Sequence, residues 1–275
     1  MRILVTNDDG IDSTGLHVLA RSLVPFGEVI IGAPDTEYSG ASSSFGPLHL
    51  IRPEMQKAYI DGVDEAWAVN GPPALCVMFA RLGAFGPPFD LVVSGINPGA
   101  NVGRSVYHSG TIGAALTARN GGITGIAVSQ AVDEGGYLGQ GLELMLKNQK
   151  WHSAAEAAAI AVSCLVDKPL SEAEVLNINV PNLEIDDIKG WVDTEVGTNL
   201  IRSMSEVSVE PKLGHEGTYH LKMGWGDRLP DPPIETDVGA VSRGYISLSW
   251  LSRLSREDPP TGSTIEEAFT ENFLS

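Results

Sequence analysis

Asp8 and Asp9 stand side by side after the run Arg2-Ile3-Leu4-Val5-Thr6 and directly ahead of Gly10, so two carboxylates fall where a short apolar strand would run out into a glycine turn. Adjacent carboxylates at the edge of a core repel each other and lose hydration, and a cation or a shared proton relieves both costs. Two more polar loops follow apolar runs in the same way. Residues 35–44, with Ser39-Gly40-Ala41-Ser42, come after Glu28-Val29-Ile30-Ile31-Gly32-Ala33, and Ser94-Gly95-Ile96-Asn97-Pro98-Gly99-Ala100-Asn101 follows Asp90-Leu91-Val92-Val93. Carboxylate, hydroxyl and amide oxygens are hard donors, suited to Mg²⁺ or Mn²⁺ rather than to zinc, which recruits His or Cys.

Ser109-Gly110-Thr111 forms a fourth cluster, at the start of a helical segment over 110–119. There, free backbone N–H groups and the positive end of the macrodipole favour a phosphate. A cation beside such a site polarises a phosphoryl oxygen and lowers the pKa of a water, which is most of what phosphomonoester hydrolysis needs. Each cluster alone has an ordinary structural reading: Asp-Asp-Gly as a capped turn, Ser109 as an N-cap, Asn97 and Asn101 as turn residues. Their joint placement favours the chemical one. His108, one of six histidines, either contacts a phosphate or protonates a leaving oxygen, or is a loop histidine with one satisfied nitrogen. Residues 99–105 superficially resemble a Walker A loop, but the spacing is one residue short and Arg104 replaces Lys. The Gly-x-Ser-x-Gly, His-Glu-x-x-His and full Gly-x-Gly-x-x-Gly patterns do not occur, so acyl-hydrolase, zinc-protease and dinucleotide readings lose their usual support.

The elements that must position these loops read as an α/β protein. Residues 2–6 and 28–33 are β-branched runs separated by helical spacing over 15–23, a β-α-β unit. A helix over 73–82, a strand over 90–94, the helix over 110–119 and a strand over 125–129 continue the alternation. A helix over 152–166 and a strand over 175–180 close it, after a Gly- and Gln-rich loop at about 133–150. This predicts a Rossmann-like, doubly wound, mainly parallel sheet as the core of residues 1–183, with three of the polar loops at one sheet edge, where ligands collect. Beyond Pro181 the texture changes. Alternating segments at 219–223 and 245–249, with Pro and Gly between them, predict antiparallel hairpins, so residues 184–275 read as a β-rich extension with a terminal helix that builds a subunit interface.

Composition narrows the partners. A formal net charge of -17 argues against an electrostatic grip on long nucleic acid or an anionic membrane, although a bound cation still admits a small anionic substrate. No stretch approaches the roughly 18 apolar residues of a membrane span, and no signal peptide is visible, which gives a cytoplasmic expectation. Cys76 and Cys164 sit in apolar runs outside any metal-like pair and read as buried reduced thiols.

These motifs together closely resemble the SurE family of survival-protein nucleotidases. The resemblance rests on Ile3-Leu4-Val5-Thr6-Asn7-Asp8-Asp9-Gly10, Ala33-Pro34-Asp35 leading to Ser39-Gly40-Ala41-Ser42, Val93-Ser94-Gly95-Ile96-Asn97 with Gly99, Asn101 and Gly103, and Ser109-Gly110-Thr111. Leu176-Asn177-Ile178-Asn179-Val180-Pro181, Thr236-Asp237 and Gly244-Tyr245-Ile246-Ser247 agree with it. It implies a metal-dependent phosphatase of nucleoside 5′- and 3′-monophosphates, sometimes also of short polyphosphate, with one divalent cation, Mg²⁺ or Mn²⁺, per subunit. It further implies Asp8, Asp9, Ser39 and Asn97 as metal ligands and Asn101, Ser109, Gly110 and Thr111 as the phosphate-facing set. A C-terminal extension exchanged between subunits would give homodimers or homotetramers. Asp8, Asp9 and Asn101 are then the expected catalytic group, with Asp8 also helping to deprotonate the attacking water. The chain departs from many relatives at Arg104-Ser105, at Thr117-Ala118, and at Leu75 within Gly71-Pro72-Pro73-Ala74-Leu75-Cys76, none of them a metal position. Two competitors rank lower. An aspartyl-phosphate phosphatase wants Asp-x-Asp after its first strand, and a receiver-like Mg²⁺-binding signalling module wants an acceptor Asp where this chain has Ser94 and Asn97.

Overall fold

The computed structural model describes residues 1–273 apart from 51, 133–145, 199–203, 227–229, 231, 257, 259 and 262–263. Most of the expected loop at 133–150 lies outside the described residues. In chain order the elements are β1 (Arg2–Thr6), α1 (Thr14–Leu23), β2 (Glu28–Pro34), β3 (Met55–Ala58), β4 (Glu65–Val69), α2 (Pro73–Arg81), β5 (Leu91–Pro98), α3 (Gly110–Asn120), β6 (Thr124–Gln130), α4 (Trp151–Asp167) and β7 (Val175–Val180). They continue with β8 (Trp191–Asp193), β9 (Met204–Pro211), β10 (Tyr219–Trp225), α5 (Asp237–Ser242), β11 (Ile246–Leu251) and α6 (Ile265–Phe273).

Alternation along β1 explains the layering. Ile3 and Val5 face one side and pack with Leu16, Leu19 and Leu23 of α1 and with Ala154, Ala158 and Val162 of α4. Leu4 faces the other and packs with Cys76, Val77 and Ala80 of α2 and Ala114 and Ala118 of α3. A central strand covered on both faces has no polar side to spare, which is why its sequence reads as a near-continuous apolar run. The nine-stranded sheet has the order β3-β4-β2-β1-β5-β6-β7-β11-β8. From β4 to β7 every neighbouring pair is parallel. The chain steps from β1 to β2 on one side and later returns to place β5 on the other, so the sheet switches direction beside β1. Crevices at such a switch, beyond the carboxyl ends of the strands, are where open α/β sheets bind ligands.

The Rossmann-like mixed sheet agrees with the sequence analysis, and so does the antiparallel pair β9–β10. The second expected hairpin does not form. β11 instead runs antiparallel to β7 and parallel to β8, continuing the main sheet. Cys76 is buried as expected, but Cys164 is exposed, because it lies on the outer face of the strongly apolar helix α4. Among the described residues, no helix is long and apolar enough to cross a membrane.

Candidate functional site

β1 hands its chain to a turn that the sequence builds from polar side chains. The Asn7 amide nitrogen donates to Gly10 O at 3.1 Å and to Ser13 Oγ at 2.8 Å, tying the turn to the cap of α1. Gly10, at φ +100°, supplies the left-handed backbone that lets the chain double back. Asp8 is thereby carried under the first turn of α3. Its Oδ1 accepts from the Thr111 hydroxyl at 2.6 Å, and its Oδ2 from the Gly110 N–H at 3.2 Å. Ser109 caps the helix, its Oγ accepting from Ile112 N at 3.1 Å. The anion that this helix end holds is therefore Asp8 itself. Gly110 is required by the fit, since a Cβ there would lie 2.8 Å from both Cβ and Oδ2 of Asp8.

Burial pushes the Asp8 carboxyl upward, against the downward pull of its Thr111 and Gly110 donors. Asp9 is pushed up to about 8, first by burial and then by the charges of Asp8 and Glu37. Its Oδ2 is buried and accepts no hydrogen bond. A buried carboxylate oxygen without a partner is costly, and it is the kind of atom that a cation satisfies. Among the described residues no group of three or more His, Cys, Asp or Glu side chains forms a cation cage, so any ion here must draw on neutral oxygens as well.

The next two loops offer such oxygens. Tyr38 N donates to Asp8 O at 2.7 Å, which sets the 35–44 loop beside the carboxylates. Ser39 is exposed there, its hydroxyl donating to Glu37 Oε1 at 2.8 Å. The loop then seats on α3 and on the turn before it: Ser42 Oγ donates to Tyr107 O at 2.9 Å and Ser43 Oγ to Gly113 O at 3.3 Å. A Cβ on Gly113 would meet Ser42 O at 2.2 Å, so a side chain there would unseat the loop. Asn97 lies on β5 beyond the Thr6–Ser94 pairing, at the switch point, its amide nitrogen donating to Gly99 O at 2.7 Å. The amide oxygen is the atom left for a cation.

Asn101 is almost fully buried and strongly held. Its Nδ2 donates to Ser129 Oγ at 2.9 Å, its backbone N–H to Asn179 Oδ1 at 2.8 Å, and its carbonyl accepts from Asn177 and Asn179 at 3.0 and 3.2 Å. Asp8 is in direct contact with Gly110 and Thr111, while Ser39, Asn97 and Asn101 stand on neighbouring loops of the same edge. His108 is exposed on the rim, and its carbonyl accepts from Ser42 N.

The departures from the resembled pattern have local accounts. Arg104 donates to Thr198 O at 3.2 Å, and the Ser105 hydroxyl both accepts from Val102 N and donates to Val102 O, closing the short 3₁₀ turn Gly103–Tyr107. The buried Thr117 hydroxyl satisfies itself on Gly113 O at 2.7 Å, and Leu75 is fully buried against Gly71. Sequence reasoning gave no part to three residues that hold the Asn101 loop: Asn177, Asn179 and Asp237. Two amides at alternate positions of an otherwise apolar strand were the available signal, since polar groups buried in a central strand need partners.

A doubly wound α/β sheet with a carboxylate pair and a helix N-terminus at its switch point places the chain among the Rossmann-like α/β proteins. Within that class, the family profile described as survival protein SurE matches residues 3–203, and the chain belongs to that family. The chain is 36% identical over 250 residues to a 5′-nucleotidase SurE of Haemophilus influenzae, covering 90% of each. It is 37% identical over 251 residues to a 5′/3′-nucleotidase SurE of Erwinia tasmaniensis, covering 91% of this chain and 90% of that one. The crystal structure of the SurE protein from Aquifex aeolicus superposes with a TM-score of 0.73 at 27% identity, over 99% of this chain and 100% of that one.

Proposed function

We propose that this chain is a metal-dependent phosphomonoesterase that hydrolyses nucleoside 5′- and 3′-monophosphates to nucleoside and phosphate. The observation that carries the reading is the buried, unpartnered Oδ2 of Asp9, next to a second buried carboxylate under a helix N-terminus. The similarity to nucleotidases of two other organisms supports the substrate class. In this reading Asp8, Asp9, Ser39 and Asn97 hold one Mg²⁺ or Mn²⁺ per subunit, an all-oxygen set that suits either ion. When bound, the ion supplies a polarised phosphoryl oxygen and a water of lowered pKa. Asp8, fixed in one orientation by Thr111 and Gly110, orients the attacking water and helps remove its proton. Asn101 and Ser109 steady the charge developing on the phosphoryl oxygens, and Gly110 and Thr111 share their donors between Asp8 and the phosphate. His108 has no fixed part in this scheme.

The reading favours water over a carboxylate nucleophile of the aspartyl-phosphate kind, because Asp8-Asp9-Gly10-Ile11-Asp12 lacks the Asp-x-Asp spacing that such an enzyme wants after its first strand. The receiver-like reading fares no better, since the exit of β5 carries Ser94 and Asn97 rather than an acceptor Asp. We place the enzyme in the cytoplasm, where free Cys76 and Cys164 stay reduced, and assign residues 184–275 to assembly of a homodimer or homotetramer. The test is phosphate release from a panel of nucleoside monophosphates, with chelator and then with each metal restored. Release that needs the metal and prefers nucleotides is expected. Activity indifferent to chelator, or equal on every phosphorylated compound, would overturn the reading.

A further inference from the structure

Asp237 is fully buried, yet it belongs to neither the cation set nor the phosphate set. It opens α5, but the cap of that helix is Thr236, whose Oγ accepts from Gly239 N at 3.1 Å. A first-turn acid that only complements a helix dipole has no reason to leave water, and burying its charge costs several kcal/mol unless donors surround it. Here they do. Asp237 Oδ2 accepts from Gly103 N at 2.8 Å, and Oδ1 accepts from Gly197 N at 2.9 Å and Val238 N at 2.8 Å.

Those donors belong to three separate segments. Gly103 closes the loop that carries Asn101, Gly197 lies on the stem leading toward the β9–β10 hairpin, and Val238 lies in α5. Gly197 leaves room for the carboxylate, since a Cβ there would stand 3.1 Å from Oδ1. Asn179, near the C-terminal end of β7, holds the same loop independently by bonding both the N–H and the carbonyl of Asn101. The phosphate side of the site is thus fastened from the C-terminal part of the chain, at residues far from it in sequence.

We infer that Asp237 is a positioning residue, which fixes the Asn101–Gly103 loop against the hairpin stem so that the Asn101 side chain meets the substrate phosphate, with Asn179 as the second hold. The inference rests on the function proposed above. Asp237→Asn keeps the shape of the side chain but turns an NH₂ group toward at least one N–H, which loosens the junction without emptying it.

The experiment is a double-mutant cycle in the full-length, Mn²⁺-loaded protein, with Asp237→Asn, Asn101→Ala and both together, read as kcat and KM on a nucleoside monophosphate. Asp237→Asn is expected to lower kcat/KM about tenfold, chiefly through KM, and to cost less than about twofold once Asn101 is already Ala. Amide hydrogen exchange at residues 101–103 should quicken while Mn²⁺ affinity stays unchanged. Equal losses in both backgrounds, or unaltered exchange at 101–103, would overturn the inference. Should Asp237→Asn fail to fold, Asn179→Ser enters the same cycle and is read by the same outcomes. A wild-type protein that releases no phosphate from nucleotides refutes the proposed function instead, and the exchange measurement still decides whether Asp237 and Asn179 hold the loop.

Discussion

At the carboxyl edge of the sheet, polar side chains are buried and tied to one another. Asp8 is closed by Thr111 and Gly110, Asn101 by Asn177, Asn179 and Ser129, and Asp237 by three backbone N–H groups. The extension does the reverse with apolar ones. In the β9–β10 ladder Leu221 stands opposite Val209 and Met223 opposite Val207, so all four side chains share one face, and Leu221 and Met223 are 71% and 64% exposed. Along α6, Ile265, Phe269 and Phe273 recur at helical spacing and are exposed as well. On the rim these groups satisfy one another and leave the Asp9 oxygen open, whereas the extension turns apolar side chains to solvent.

The largest expected effect sharpens the rim side of that contrast. Asp8→Asn should bring turnover below detection while circular dichroism stays native, because it removes a charge without removing volume. Normal activity in that variant would leave Asp8 without its role. Next comes Gly110→Ala, which drives a methyl into Asp8 and should cost about 100-fold in kcat, the scale of a displaced reacting group. Kinetics within a few-fold of wild type would mean that the Asp8–α3 contact is dispensable.

Asp9 provides a stability test. Its carboxyl titrates near 3.8 when unfolded and about 8 when folded without a cation, so its contribution is full below about pH 4 and is lost as pH rises through 8. Thermal melts in chelator should therefore fall in Tm between acid and mildly alkaline pH, and Asp9→Asn should flatten that slope and raise the alkaline Tm. An unchanged slope would place the pH dependence elsewhere. The smallest effect belongs to the extension: Leu221→Asp with Met223→Asp should shift the assembly seen by light scattering toward smaller species, while the stability of each chain changes by only about 0.5 kcal/mol, as for surface substitutions. Unaltered assembly would show that the hairpin face is not an interface.

What could be read from the sequence was local. The Asp8-Asp9 exit, the Ser109 cap and the β-α-β periods are short-range patterns, and each appears where its spacing puts it. β3 was invisible for the opposite reason: Met55, Gln56 and Lys57 are exposed on an edge strand with no apolar alternation to detect. β11 has the alternation, but nothing in Ile246-Ser247-Leu248 says that its partner is β7 rather than a hairpin neighbour. Cys164 misled because α4 is so rich in Ala that its outer face, including exposed Ile160, is nearly as apolar as its inner one. Asp237 could not be placed at all, since its partners Gly103 and Gly197 are chosen by topology and carry no side chain to mark them.

The first turn of α3 is already tenanted by a tethered carboxylate that cannot diffuse away. In the proposed reaction, orthophosphate lingering at that helix end must compete with this resident ligand for the same donors, so it is gripped less firmly than an open nest of N–H groups would grip it. Release of the spent anion, often the slow stage of a well-made enzyme, is then eased by the protein's own side chain.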